Sequence, residues 1–195
     1  MHLVLLFYGE IYNKRVILQT RYAYMQHEVH HSKMNLLKCF SRLDELYEIL
    51  DVKLTEIEYA IDKSDDPDTD GLFDQSEYYV GIGLVAAQQY LAEAATFSGI
   101  DKDKAYKLGP RHKSGLSYIR AIDSAANYWK HEAEWWKDLD TLNNSSPKIR
   151  THVVTIAETS HYQLSNFLYA LSNDKEIKLK CLLPIIDEWL EALCS

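Results

Sequence analysis

Residues 34–63 read MNLLKCFSRLDELYEILDVKLTEIEYAIDK, and this stretch decides the fold. Leu36, Phe40, Leu43, Tyr47, Leu50, Leu54, Ile57 and Ile61 recur at alternating steps of four and three. At the helical repeat that spacing gathers all eight on one stripe. The spacing therefore predicts a long amphipathic helix, which SDDPDTDG (64–71) ends through Pro67 and turn-forming Asp and Gly.

Asp74 followed by Glu77 resembles an acidic capping box for a second helix. Behind it, YYVGIGLVAAQQYLAEAATF (78–97) is apolar nearly all round and rich in Gly and Ala. Such a helix is expected at the centre of a bundle, its small residues letting neighbours approach. Gly99 is its expected C-terminal stop. Residues 100–113 read as a connector with one short helical turn, broken again at GPRH. A third helix is expected over 114–137. Ser146 and Pro147 suit the N-cap and first position of a fourth, running to about Ser172. In EIKLKCLLPIIDEWLEALCS (176–195), Pro184 either kinks a helix or starts a separate one. The fold class is thus all-α: a bundle of four to five long helices over 32–195. Residues 1–31 form an N-terminal appendage whose apolar runs at 4–8 and 16–18 suit short strands or a further helix.

Composition narrows the function classes. The 195 residues suit one domain, 47% hydrophobic and 26% charged, which is globular rather than disordered. A net charge of −8 argues against a broad basic nucleic-acid surface, though a small local cluster of cations can coexist with it. Cys39, Cys181 and Cys194 are odd in number and lack C-x-x-C spacing, so they read as reduced thiols. No apolar run approaches a membrane span, and LVLLFY is too short for a signal-peptide core, so the cytoplasm is the expected compartment.

Two stretches carry candidate chemistry. His27-Glu28-Val29-His30-His31 satisfies H-E-x-x-H, in which two imidazoles on one helical face could hold zinc and Glu28 could act on its water. It lacks a third ligand downstream, and a zinc hydrolase is the lesser alternative. AANYWKHEAEWW (125–136) holds three Trp, a Tyr, a His and a Lys. On a helix, Tyr118, Ile122, Ala125, Trp129, Ala133 and Trp136 form an apolar stripe, and Arg120, Asp123, Asn127, His131 and Glu134 a polar one. His131 carries an imidazole that could move a proton. Asn127, one turn earlier, could orient it or contact a phosphate, and Arg120 or Lys130 could offset phosphate charge. Tyr128 and Trp135 are expected to expose an aromatic surface suited to a dimer or partner interface.

An all-α bundle with N-x-x-x-H on a late helix resembles the HEPN superfamily, whose members are small, often dimeric, and found in toxin–antitoxin and antiphage systems. Asn127 and His131 match the second and last positions of its motif, and Ala126 stands where the family carries Arg. The resemblance implies either a metal-independent endoribonuclease acting through the RNA 2′-hydroxyl or a binding module that has lost catalysis. His131, Asn127, Lys130 and Arg120 are then the site residues, without cofactor or metal. The implied partners are RNA, a second copy of the chain, or another protein.

Overall fold

The computed structural model describes Leu36, residues 38–135 and residues 146–194, the side chains of 133–135 and 146 excepted. The chain divides into two units, Met1–Cys39 and Phe40–Ser195, and the second holds all that follows. The expectations for 1–31, His27–His31 among them, lie outside the described residues.

Among the described residues the fold is all-α. The helices are α1 (38–61), α2 (Leu72–Ser98), α3 (Lys102–Ala105), α4 (Tyr118–Trp135), α5 (Ser146–Ala157), α6 (Gln163–Leu171) and α7 (Leu182–Leu193). A 3₁₀ turn at Leu179–Cys181 leads into α7. No described helix is long and apolar enough to cross a membrane.

Hydrophobic spacing accounts for α1: Leu43, Tyr47, Leu50, Leu54 and Ile57 are all buried. α2 is the central helix that its composition implies, packing on α4, α6 and α7. Its glycines permit the approach. A Cβ on Gly81 would sit 2.2 Å from Trp129 Cδ1, and one on Gly83 would sit 2.3 Å from Leu179 Cδ1. The buried Tyr47 hydroxyl donates to the Gly83 carbonyl at 3.2 Å, tying α1 to the same point. Gly99 ends α2 in the left-handed region, at φ 70, its N–H donating to Thr96 O. Only glycine adopts that conformation without steric cost.

Three boundaries differ from the sequence expectation, and a fourth takes one of the two alternatives that it left open. α2 begins at Leu72 behind left-handed Gly71, with no side-chain cap, so Asp74 and Glu77 form no local capping box. Glu77 instead accepts the backbone N–H groups of Leu164 (3.0 Å) and Ser165 (2.6 Å), capping α6 from across the bundle. The expected helix over 147–172 is two helices. Glu158 (φ 55) and Tyr162 (φ 45) turn left-handed between them, with Glu158 drawn to Lys113 at 2.6 Å and the Tyr162 hydroxyl bonded to Asp68. α4 starts at Tyr118 rather than 114 because residues 111–117 close a loop, with His112 N donating to Leu116 O at 2.9 Å and Gly115 at φ 83. Finally, Pro184 lies in the first turn of α7, where its missing N–H leaves no bond unmade.

Candidate functional site

α4 carries the sequence-predicted site residues and packs on α2, α5 and α7. Its run 121–126 is buried all round: Ala121, Ile122, Asp123, Ser124, Ala125 and Ala126 are each less than a tenth exposed. The polar stripe therefore does not face water along its whole length. Asp123, expected on the solvated side, is 7% exposed, and Gln88 Nε2 donates to its Oδ1 (2.9 Å) and its carbonyl (3.2 Å). Lys102 Nζ adds a 3.3 Å ion pair. A buried carboxylate needs such partners, and a helical wheel cannot supply them.

The two candidate cations are engaged. Arg120 Nη2 contacts Asp103 Oδ1 at 2.5 Å and the Asp103 carbonyl at 3.1 Å, and its guanidinium lies 5.6 Å from the Tyr106 ring centroid. Lys102 lies 5.0 Å from the same ring, whose buried hydroxyl has no hydrogen-bond partner. Asp103 is shared with Lys107, whose bond and charge, joined by those of Arg120, hold its carboxyl below the usual range. Lys130 Nζ donates to Gln88 Oε1 at 2.6 Å, so Lys130, Gln88, Asp123 and Lys102 form one chain between α2, α3 and α4. Asn127 is half-buried and His131 exposed. Arg120 and His131 are eleven residues apart, roughly 16 Å along the axis, so no single phosphate touches both.

Tyr128 does not join the aromatic surface that the sequence suggests. Tyr128 is 8% exposed, and its hydroxyl donates to Glu132 Oε1 at 3.1 Å. Trp129 is half-buried against Gly81, with its ring 5.8 Å from that of Tyr78. The Trp135 and Trp136 side chains lie outside the described residues.

One polar pair escaped the sequence reading. Ser124 Oγ lies 2.8 Å from His152 Nδ1, joining α4 to α5. Partial burial, then the positive charges of Lys148 and Arg120, hold this imidazole below the usual histidine pKa. The available signal was Ser124 itself, a hydroxyl that helical spacing sets beside Arg120 and His131, within the run 121–126 that the structure buries. A polar atom there requires a partner from another element.

The lowered pKa sets a pH dependence. In the unfolded chain His152 titrates near ~6.5. Its contribution to stability is therefore complete above that pH and is lost as pH falls below it, because protonation favours the unfolded chain. Denaturant titrations of the wild type and of His152→Gln between pH 7.5 and 5 should converge as the pH falls. A pH-independent difference would mean that the imidazole is not depressed.

Burial pushes the Cys181 thiol up to about 12, away from the thiolate form, and its Sγ lies 3.9 Å from the Leu168 carbonyl. No group of three or more metal-ligating side chains converges among the described residues. Comparison of the chain with family models, with curated proteins and with solved structures gives no match.

Proposed function

We propose that this chain is a HEPN-like helical module that works by association rather than by cutting RNA, as befits a component of a toxin–antitoxin or antiphage system. The observation that carries this reading is the commitment of its cations: Arg120 to Asp103 and Lys130 to Gln88. Ala126, at the position the resembling family fills with arginine, is fully buried, so that position does not face a substrate. On the helix of His131 the cations are Lys130, exposed and bonded to neutral Gln88, and Arg120, held by Asp103 roughly 16 Å away along the axis.

The association surface is the outer face of α1. Ile49, Val52 and Tyr59 are 64%, 54% and 66% exposed, on the side opposite the buried stripe. Antiparallel pairing of two α1 helices about an axis at the level of residue 54 sets Ile49 against Tyr59 of the partner subunit. The same axis sets Glu45 against Lys63 of the partner subunit at each end. The Ile49–Tyr59 contacts and the end charges are self-complementary, as a two-fold interface requires, with Val52 at the centre facing the exposed Glu56 of the partner subunit.

The full chain, incubated with single-stranded RNA in EDTA, is expected to leave it intact. Cleavage that disappears in His131→Ala would overturn the binding reading. Sedimentation is expected to show a dimer that Val52→Glu dissociates without loss of helical signal, whereas a wild type that remains monomeric at high concentration would remove the α1 face.

A further inference from the structure

A cleft of about 390 Å³ opens where the 111–117 loop meets the end of α5 and the α6 segment, away from the polar chain of α4. Its volume lies in the range of small-molecule sites, roughly 300–1,000 Å³. Lys113, Lys175, His112 and a single carboxylate, Glu158, line it together with Tyr118 and Tyr169. In a chain of net charge −8 this is a local excess of positive charge. The Lys113 bond and charge, then the charges of His112 and Lys175, hold the Glu158 carboxyl below its usual range.

The rings and cations are arranged in pairs. His112 lies 6.2 Å from the Tyr118 ring, and Lys175 Nζ lies 5.5 Å from the Tyr169 centroid. Among the described residues three non-glycine positions have positive φ, and two of them, Glu158 (φ 55) and Lys175 (φ 57), border this cleft. Strained backbone persists where side-chain placement matters, and here it places the carboxylate and a lysine at the same opening.

We propose that this cleft binds a small phosphate monoester carried on a planar ring, the phosphate taken by Lys113 and Lys175 and the ring by Tyr118 and Tyr169. The proposal is independent of the α1 face. Glu158 is the resident anion that the ligand displaces. Its 2.6 Å pair with Lys113 is 65% and 75% exposed, and pairs so exposed contribute little, so exchange for a dianion that accepts several charge-assisted bonds is favourable.

Calorimetry on the full chain with phenyl phosphate, inorganic phosphate and phenol tests this. Phenyl phosphate should bind about tenfold or more tightly than inorganic phosphate, and phenol should not bind. Lys113→Ala and Lys175→Ala should each weaken phenyl phosphate, Tyr169→Ala should bring it down to the affinity of inorganic phosphate, and Glu158→Gln should tighten it. These side chains are exposed enough for the variants to fold, which circular dichroism checks. Equal affinity for the two phosphates, indifference to both lysine variants, or no binding of phenyl phosphate would each overturn the proposal.

Discussion

Replacing Trp189 by alanine is expected to destabilise the fold by about 3–5 kcal/mol, the range for removing a buried Trp or Phe. Trp189 is fully buried near the middle of α7 and is the largest such side chain among the described residues. Its ring meets Tyr106 edge-on at 6.1 Å between centroids, and its backbone lies so close to Gly109 that a Cβ there would stand 3.1 Å from Trp189 Cα. Its Nε1 donates to the Ala105 carbonyl at 2.9 Å. That carbonyl also accepts from Leu108 N at 3.1 Å, so the variant leaves no orphaned acceptor. The loss is therefore dominated by the cavity and the missing ring contacts, and the hydrogen bond adds only about 1 kcal/mol. Trp189→Phe, which keeps a ring and drops the N–H, should lose less than half as much. Equilibrium denaturation of both variants checks this ranking. A loss below about 2 kcal/mol for the alanine variant would mean that α7 collapses into the space, against the spread seen for such sites.

The contrast between α1 and α4 explains what was legible in the sequence. The α1 stripe needs no knowledge of its neighbour: Leu43, Tyr47, Leu50, Leu54 and Ile57 are apolar at helical spacing and must be covered by something. Gly81 and Gly83 likewise announce close approach without saying that Trp129 and Leu179 are what approaches. Polar residues are different, because each is satisfied by a partner far away in sequence. Glu77 matches a local cap and instead serves α6, 87 residues on. Asp123 sits on the polar stripe and is buried by Gln88 and Lys102. The break between α5 and α6 has no proline or glycine to signal it; its two left-handed residues meet a lysine and an aspartate from other segments. The same limit governs the site. His131 was visible as an imidazole on a stripe, whereas His152 acquires its depressed pKa only in the fold, from burial and then from the charges of Lys148 and Arg120.

Asp51 is the clearest case of such a partnership and gives the second large effect. It is 8% exposed on α1, and it accepts the N–H groups of Leu179 (2.6 Å) and Lys180 (3.1 Å), more than 120 residues away. These bonds fix the 3₁₀ turn that feeds α7. Burial lifts the Asp51 carboxyl above its ordinary range, and the two N–H bonds and the charges of Lys180 and Lys178 only partly oppose it. Asp51→Ala removes a costly buried charge but strands two N–H donors, each worth about 1–3 kcal/mol when left unpaired. The donors outweigh the relief, and a net loss of about 2 kcal/mol is expected at neutral pH. Asp51→Asn keeps one acceptor oxygen and should lose roughly half of that. The raised pKa also fixes a sign. The folded state holds the proton more tightly than the unfolded chain, so this group's contribution is complete below the unfolded carboxylate pKa and is lost as pH rises through the folded value. Stability of the wild type relative to Asp51→Asn should therefore increase as pH falls through the carboxylate range. A difference that shrinks on acidification would mean that hydrogen bonding to the charged form, rather than burial, governs Asp51.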